Sequence, residues 1–278
     1  MKKLLDRVAV VTGAASGIGR AVSIALAREG CDLAISDLNE QGLAETASQI
    51  RTLGRRVCTH RIDVSDKQRM QRYAEEVFAE YGKVEIVVNN AGVTVATSFE
   101  EQSIEDWEWI VGINLWGVIY GCKFFLPYLK LADEAHIVNL SSMFGFIGVP
   151  AQSSYCATKF AVRGLSEALW AELRGHGIGV TSVHPGGIRT NIGKAARASD
   201  SEVKQGVIDF IDRVPVSPDQ CARRIVGAIK KDRMRQLVTS ESYLTDWIKR
   251  LWPVLTQRLI AWSYQRALPK VSGQPPGA

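Results

Sequence analysis

The chain of 278 residues is 46% hydrophobic and 23% charged, a composition that excludes a disordered or fibrous protein. Its five cysteines are widely spaced and include no C-x-x-C pair, so neither a disulfide framework nor a zinc knuckle is indicated. The net charge of +5 is concentrated from residue 243 onward, which argues against a nucleic-acid-binding body. No apolar stretch is long enough for a signal peptide or a membrane span. Because the cysteines fit a reducing cytosol, we expect a cytoplasmic protein, with a peripheral position at a membrane surface as a further option.

Short β-branched runs alternate with amphipathic segments as far as about residue 240. We predict strands at 8–12, 32–37, 57–61, 86–89, 136–140, 179–184 and 236–239. Helices are predicted near 18–30, 39–53, 66–81, 103–131, 154–176 and 217–231. Strict alternation predicts a doubly wound, Rossmann-like α/β fold, in which about seven parallel strands carry helices on both faces. We expect residues 1–240 to form this single domain.

A glycine-rich turn joins the first strand to the first helix and reads T-G-A-A-S-G-I-G from Thr12 to Gly19. Glycines let the backbone turn tightly and approach a pyrophosphate, whose charge meets free N–H groups and the helix dipole. The spacing differs from the more familiar G-x-G-x-x-G, so a plain structural turn is the alternative.

Asp37 closes the second strand at about the separation from this turn at which an acid reaches the adenosine ribose. A carboxylate there accepts hydrogen bonds from the 2′-hydroxyl and repels a 2′-phosphate, so we predict NAD(H) in preference to NADP(H). We expect Arg20, the nearby cation, to project into solvent. The alternative role for Asp37 is to cap the next helix.

Motifs at the ends of these strands resemble those of the short-chain dehydrogenase/reductase family in its common short form. The resemblance runs from Val8 to about Thr239 and rests on the loop at Thr12, Asp63-Val64, Asn89-Asn90-Ala91-Gly92, Asn114, Ser142, Tyr155-x-x-x-Lys159 and Pro185-Gly186-Gly187-Ile188-x-Thr190. It implies an oxidoreductase that transfers hydride between nicotinamide and a secondary alcohol or ketone.

The resemblance implies catalytic roles for Asn114, Ser142, Tyr155 and Lys159. Tyr155 would exchange the proton, because an ammonium one helical turn away and an oxidised nicotinamide both favour its phenolate. Lys159 would also bind the nicotinamide ribose, and Ser142 would donate to the substrate oxygen. Asn114 would anchor a water that relays protons to Lys159. Taken singly, each of these residues has an ordinary structural explanation in a turn, a cap or a helix surface.

The resemblance also implies a set of cofactor contacts. These are Gly13, Ser16, Gly17, Ile18, Gly19, Asp37, Asp63, Val64, Asn89, Ala91, Gly92, Tyr155, Lys159, Pro185, Gly186, Ile188 and Thr190. Asp63 and Val64 would flank the adenine, and Asn89 and Ala91 would pack beside the ribose, with Asn90 mainly structural. The segment 185–190 would close over the nicotinamide. No metal site is predicted, since the four histidines have no paired metal spacing.

The substrate is expected to be lipophilic, such as a steroid, a retinoid-like compound or an acyl carbonyl, with a sugar or polyol as the alternative. This expectation rests on a predicted substrate lid at about 190–216, whose apolar residues are Ile192, Val203, Val207, Ile208, Phe210 and Ile211. The segment could equally cover the sheet edge. A non-catalytic dinucleotide-binding scaffold or redox sensor is the alternative function. By resemblance we expect a homodimer or homotetramer that contacts through residues 103–131 and 154–176.

Residues 241–270 form a tail beyond the usual length of the family. Apolar residues recur at helical spacing opposite basic ones, with a break near Pro253; the apolar set is Leu244, Trp247, Ile248, Leu251, Trp252, Leu255, Leu259 and Trp262. This pattern predicts an amphipathic helical tail suited to a membrane interface, a second subunit or the substrate mouth. Residues 271–278 are expected to be flexible.

Overall fold

The computed structural model describes residues 1–193, 195–198, 205, 208–209, 211, 213 and 215–267. Its strands are β1 (Val8–Thr12), β2 (Asp32–Asp37), β3 (Val57–Arg61), β4 (Ile86–Asn89), β5 (Val95–Ala96), β6 (Ala135–Leu140), β7 (Ile178–His184), β8 (Arg197–Ala198) and β9 (Arg235–Leu237). Its helices are α1 (Gly17–Arg28), α2 (Glu40–Thr52), α3 (Lys67–Tyr81), α4 (Ile104–Val111), α5 (Gly117–Leu129), α6 (Ser153–Leu173), α7 (Pro218–Lys230), α8 (Ser240–Leu251) and α9 (Pro253–Ala267).

The main sheet has seven parallel strands in the order β3-β2-β1-β4-β6-β7-β9. The predicted doubly wound fold is therefore confirmed. The chain winds outward from β1 in one direction and then from β4 in the other, so the order reverses between these two strands. A crevice forms at such a reversal, outside the carboxyl ends of the strands, and ligands of open α/β sheets bind there.

The central strands are apolar without alternation because each face of the sheet is covered. Val11 of β1 belongs to the core that contains Leu26 of α1. Val10, on the opposite face, belongs to the core that contains Tyr73 of α3 and Phe125 of α5. Residues on both faces of β1 are thus fully buried, as a parallel sheet between two helical layers requires.

Helices α4 and α5 are joined by one π-helical turn, Gly112–Trp116, into a continuous helical segment. By length and composition alone, this 26-residue segment is apolar enough to cross a membrane. One side of the segment packs in the core, where the Phe125 ring meets the buried Tyr73 ring edge-on with 5.6 Å between ring centres. The sequence predicted one helix over 103–131 and gave no sign of the π turn.

A second, two-stranded sheet pairs β5 with β8 and was not predicted. It connects the segment after β7 to the segment after β4. Arg197 of β8 donates its backbone N–H to Thr94 at 3.2 Å and its guanidinium to Asp106 of α4 at 2.8 Å. The same guanidinium lies 3.9 Å from the centre of the Trp109 ring.

The tail forms two helices, and the predicted break falls at Pro253, where α9 begins. Asp246 of α8 is paired in a bidentate contact with Arg235 of β9, at 2.7 and 2.8 Å. In α9, Ile260 packs against an apolar cluster that includes Phe146 and Ile147. The predicted flexible end at 271–278, and Val203, Val207 and Phe210 of the predicted lid, lie outside the described residues.

Candidate active site

The glycine-rich turn after β1 leaves no room for side chains. Gly13 and Gly17 have φ angles of +67° and +55°, in the left-handed region that favours glycine. A Cβ atom on Gly19 would lie 2.1 Å from the carbonyl oxygen of Gly13. The backbone therefore remains bare on the crevice side, which is the cradle that a pyrophosphate needs.

The start of α1 differs from the start of most helices in the described chain. Asn39, Asp66, Ser103, Ser217 and Thr239 each accept a backbone N–H bond with their side chains and cap α2, α3, α4, α7 and α8. Ser16, at the N-cap position of α1, makes no such bond. The first N–H groups of α1 are left for a ligand, and the residues here fit an anionic group.

Asp37 lies beside the glycine-rich turn. Its carboxylate accepts the backbone N–H of Ala15 at 3.0 Å and that of Asn39 at 3.1 Å. The helix cap is Asn39, which accepts from Gly42, so the alternative assignment of Asp37 as the cap is not what the structure shows. The exposed Arg61 at the end of β3 is the cross-strand neighbour of Asp37, and sequence reasoning missed it.

The expectation that Arg20 projects into solvent is wrong. Its guanidinium donates to the carbonyl oxygens of Ala15 at 2.5 Å and Gly42 at 3.2 Å, and it pairs with Glu45 at 2.8 Å. Its Nε donates to Thr46 at 3.0 Å. Arg20 thus ties the glycine-rich turn to α2, and its charge is balanced by Glu45.

The Asn89-Asn90-Ala91-Gly92 segment supports the turn from the other side of the crevice. The Asn90 side chain donates to the carbonyl oxygens of Thr12 and Gly13 at 2.9 and 3.0 Å. The Thr12 hydroxyl in return accepts the backbone N–H groups of Asn90 and Ala91, both at 3.1 Å. These four bonds hold the ends of β1 and β4 in a fixed relation.

The Asn89 side chain was expected to pack beside the ribose, but the structure places it away from the crevice. It is buried in the core, where it donates to Asn139 at 2.8 Å and lies so close to α5 that a Cβ on Gly121 would be 1.9 Å from its oxygen. Asn139 continues this network by donating to Ser166 of α6 at 3.1 Å. Asn89 therefore links β4 to β6 and stays out of the crevice.

Tyr155, Lys159 and Ser142 meet beyond the end of β6. The Lys159 Nζ lies 5.5 Å from the centre of the Tyr155 ring and donates to the carbonyl oxygen of Leu140 at 2.9 Å. Ser142 begins the short 3-10 turn Met143–Gly145, and its hydroxyl accepts the N–H of Phe144 at 3.2 Å. Phe144 meets the Tyr155 ring edge-on at 6.1 Å.

Burial shifts both titrating groups of this cluster. It raises the pKa of Tyr155 to about 12, against a smaller opposing effect of hydrogen bonding with the Ser142 hydroxyl. Burial also lowers the pKa of Lys159 to about 8. Desolvation therefore sets the direction of the Tyr155 pKa shift, which is opposite to the expected acidification of the phenol by the ammonium.

Asn114 lies in the π turn, and it is fully buried beside the same cluster. Its amide donates to the carbonyl of Val93 at 2.9 Å and accepts the N–H of the same residue at 2.8 Å. Gly92 separates it from the lysine, since a Cβ there would lie 3.2 Å from the Asn114 Oδ1 and 3.5 Å from the Lys159 Nζ.

The other predicted contacts lie around the same edge of the sheet. Thr190 faces the glycine-rich turn, since a Cβ on Gly17 would be 3.3 Å from its side chain. Ile188 and Val64 are buried, whereas Asp63 is exposed and accepts from Ser65. Pro185 accepts the N–H of Met143 at 2.8 Å and Gly187 donates to Glu241 of α8 at 3.2 Å. A cluster of three or more metal-ligating side chains is absent from the part of the chain that the structure describes.

His184, which sequence reasoning did not assign to the site, contacts it directly. Its Nδ1 lies 2.9 Å from the Ser142 carbonyl oxygen and its Nε2 lies 3.0 Å from the Ser182 hydroxyl. Burial lowers its pKa to about 4. Its position immediately before Pro185 is the signal that could have identified it.

Two further features of the chain are distinct from the Tyr155 cluster. Burial raises the pKa of the Cys156 thiol beside Tyr155, so that thiol is a poor nucleophile. An open pocket of about 630 Å³ lies between α7 and β9 and is lined by Arg223, Arg224, Lys231 and Arg233 among others. None of the predicted catalytic residues lines it.

Known proteins resemble this chain over most of its length. The profile of the family described as "short chain dehydrogenase" matches residues 7–201, so the chain belongs to the short-chain dehydrogenase/reductase family. The protein named "Putative oxidoreductase SadH" of Mycobacterium tuberculosis is 39% identical over 97% of this chain and 99% of its own. The protein is thus an oxidoreductase of that family.

Two solved structures extend the comparison. A short-chain dehydrogenase/reductase from Burkholderia phymatum in complex with NAD is 30% identical, with a TM-score of 0.87 over 92% of this chain and 97% of the other. An alcohol dehydrogenase from Thermococcus sibiricus complexed with 5-hydroxy-NADP is 28% identical, with a TM-score of 0.71 over 81% of this chain and 90% of the other.

Proposed function

We propose that this protein is an NAD(H)-dependent oxidoreductase that interconverts a secondary alcohol and a ketone, with Tyr155 as the general acid and base. The observation that carries the proposal is the meeting of Tyr155, Lys159 and Ser142 at the crevice edge, with the ammonium 5.5 Å from the phenol ring. A scaffold that only binds dinucleotide would not need this cluster.

The residues of the chain divide the work between binding and proton transfer. When bound, the nicotinamide supplies or accepts the hydride. Ser142 donates a hydrogen bond to the substrate oxygen, and Tyr155 gives that oxygen a proton during reduction or takes one during oxidation. The Lys159 ammonium stabilises the phenolate, and the buried Asn114 anchors the water that relays the proton to Lys159.

The cofactor is held by the bare backbone of the glycine-rich turn and by side chains around it. The uncapped start of α1 binds the pyrophosphate through Gly17, Ile18 and Gly19. Asp37 accepts from the adenosine ribose, and Lys159 donates to the nicotinamide ribose. The remaining contacts come from Gly13, Ser16, Asp63, Val64, Ala91, Gly92, Tyr155, Pro185, Gly186, Ile188 and Thr190.

NAD(H) is favoured over NADP(H) by charge. The Asp37 carboxylate repels a 2′-phosphate, and the nearby Arg20 is already balanced by Glu45. The NAD complex of the Burkholderia structure supports this preference. Exposed Arg61 opposes it, because a cation beside Asp37 attracts a phosphate.

A lipophilic substrate, such as a steroid, retinoid-like or acyl carbonyl, is favoured over a sugar or polyol. The segment between Ser142 and Tyr155 is rich in large apolar residues, of which Phe144 contacts the phenol and Phe146 and Ile147 form a small core. Ile208 and Ile211 of the predicted lid lie against Gly193. An apolar wall of this kind gives a polyol few hydrogen-bond partners.

We place the active protein in the cytoplasm as a homodimer or homotetramer built from the 1–240 domain. An aromatic row on the π turn and α5 supports the assembly, because Trp116, Tyr120 and Phe124 stack at 5.6 and 5.7 Å and Trp116 is 47% exposed. Exposed Phe160 adds an apolar side chain on α6. Sedimentation of the wild type against Trp116→Ser tests this assembly, which requires the variant to dissociate more readily.

The decisive experiment is a screen of alcohols and ketones followed by NADH absorbance, with NADPH in parallel. We expect turnover of lipophilic secondary alcohols or their ketones. Tyr155→Phe should lower turnover by at least about 1,000-fold while NADH affinity changes less than about threefold. Retained turnover in that variant would refute the assigned proton donor, and NADH binding without turnover of any compound would favour the scaffold.

A further inference from the structure

Helices α8 and α9 turn polar side chains toward the protein and apolar side chains toward solvent. Their inward contacts are mainly polar: Asp246 is 7% exposed and pairs with Arg235, while Gln257 donates to the carbonyl of Gly148 at 2.9 Å. Thr256 is likewise buried and donates to the carbonyl of Trp252 at 2.6 Å. A helix that packs on a protein core normally turns its apolar side inward.

The outward side of the two helices is apolar. Of the 18 exposed large hydrophobic residues in the described chain, ten lie between residues 243 and 264. They are Tyr243, Leu244, Trp247, Leu251, Trp252, Val254, Leu255, Leu259, Trp262 and Tyr264, which together we name the tail face. Trp247 is 67% exposed, although indole rings are strongly driven out of water. Such a concentration of exposed apolar side chains marks an interaction surface.

The charges around the tail face identify what covers it. Helices α8 and α9 carry the cations Lys249, Arg250, Arg258 and Arg266 against Glu241 and Asp246. Asp246 is already paired with Arg235 and Arg250, at 2.7 to 3.2 Å, and Glu241 accepts the N–H of Gly187. A two-fold contact between copies would bring the same cationic patch against itself, which is unfavourable. An anionic bilayer surface complements both the charge and the apolar face.

The aromatic residues are those that bilayer interfaces prefer. Trp247, Trp252 and Trp262 present an apolar body and a polar N–H, and such rings settle at headgroup level. The guanidinium of Arg266 lies 3.8 Å from the centre of the Trp262 ring, so a cation and an apolar ring share one place on α9. That combination suits the boundary between phosphate groups and acyl chains.

We propose that the tail face docks on anionic lipid bilayers and holds the protein at the membrane surface. Helices α8 and α9 contact the segments that flank the candidate active site. Ile260 of α9 packs on the cluster containing Phe146 and Ile147, and Glu241 of α8 accepts from Gly187 of the segment after β7. Docking would therefore present the lipophilic-substrate mouth to the bilayer, a consequence that rests on the proposed function.

Co-sedimentation of the full chain with sucrose-loaded vesicles tests the docking itself. One set of vesicles contains phosphatidylglycerol and phosphatidylcholine, and the other contains phosphatidylcholine alone. We expect binding to the anionic vesicles that weakens as salt rises. The triple variant Trp247→Ser, Leu255→Ser, Trp262→Ser should bind roughly 100-fold more weakly. In the wild type, docking would remove about half of each of these side chains from water, and the variant loses that contribution.

Matched controls separate these effects from a general loss of hydrophobicity or charge. The triple variant Leu5→Ser, Leu53→Ser, Leu131→Ser removes exposed apolar residues elsewhere and should bind like the wild type. Arg258→Gln with Arg266→Gln should weaken binding by roughly 30-fold on anionic vesicles only, whereas Lys67→Gln with Arg72→Gln should not. Tyr155→Phe should bind anionic vesicles as strongly as the wild type. Vesicle binding can therefore be established even if the activity screen detects no turnover.

Two results would overturn the proposal. One is equal vesicle binding by the wild type and the tail-face triple variant. The other is that the wild type does not bind anionic vesicles but sediments as an oligomer, and that the same triple variant dissociates this oligomer. That result would assign the tail face to a second copy of the chain.

Discussion

The ammonium of Lys159 lies 5.5 Å from the centre of the Tyr155 ring and is fixed by a 2.9 Å bond to the carbonyl of Leu140. The lysine is thus held by the end of β6, and not by the tyrosine that it serves. Both groups are desolvated, and each is shifted toward its neutral form, with pKa values of about 12 and about 8. Proton exchange at the crevice edge should therefore depend strongly on pH.

Alcohol oxidation should accelerate as pH rises, because it requires the phenolate, which is the minor form below the pKa of Tyr155. We expect log kcat/KM for oxidation to rise by about one per pH unit between pH 6 and 8. Above the Lys159 pKa of about 8 the ammonium is lost and the slope should decrease. Steady-state rates across pH 6 to 10 measure this, and a flat profile would contradict it.

Asp37→Ser should relax the cofactor preference. Removal of the carboxylate ends its repulsion of a 2′-phosphate, so the ratio of kcat/KM with NADP to that with NAD should rise by roughly 10- to 100-fold. Adding Arg61→Gln should reverse part of this gain, since Arg61 would then no longer attract the phosphate. An unchanged ratio in Asp37→Ser would show that the specificity lies elsewhere.

Gly92→Ala should impair catalysis more than stability. The added methyl would lie 3.2 Å from the Asn114 Oδ1, so this amide must give by a few tenths of an ångström, whereas the contact of 3.5 Å with the Lys159 Nζ is ordinary. We expect kcat to fall by roughly 10-fold or more, as displacement of catalytic groups by a fraction of an ångström commonly does. Gly164→Ala is the control, because its methyl meets nothing within 4 Å and the change should stabilise α6 by about 1 kcal/mol.

Two buried histidines should destabilise the protein in acid. Burial lowers the pKa values of His136 and His184 to about 4. Between pH 6.5 and 4 these two residues therefore bind protons in the unfolded chain but not in the folded chain. Their contribution is fully present above pH 6.5 and is lost as pH falls toward 4. His136→Gln should reduce the pH slope of the unfolding free energy by up to about 1.4 kcal/mol per pH unit.

Urea unfolding at several pH values measures that slope, which stays readable even if the variant is less stable overall. His176→Gln changes an exposed histidine and is the matched control. Identical slopes in the wild type and His136→Gln would mean that His136 titrates normally when folded.

The regular part of the fold could be predicted because its signals are repetitive. Most strands of the main sheet contain β-branched residues, and every strand after β1 follows a helical segment with its own apolar period. Strands β5 and β8 were missed because two residues carry no period. The π turn around Asn114 was missed since its composition is that of an ordinary helix.

The site was harder to predict where a side chain has several partners at long sequence distance. Arg20 contacts residues of α2 that lie more than 20 positions away, and Asn89 of β4 donates to Asn139 of the neighbouring strand β6. A polar residue at a strand end has the same sequence signature whether it faces the crevice or the core. The amphipathic pattern of α8 and α9 was visible, but the pattern alone gives no sign of which side faces the protein.

The pairing of β5 with β8 has a mechanical consequence for the segment that follows β7. A ladder two residues long contributes little stability, yet Arg197 reinforces it from three directions, through Thr94, Asp106 and the Trp109 ring. None of these contacts involves a residue of the seven-stranded sheet. Loss of the Arg197 side chain should therefore loosen the attachment of β8 to α4 without weakening the main sheet.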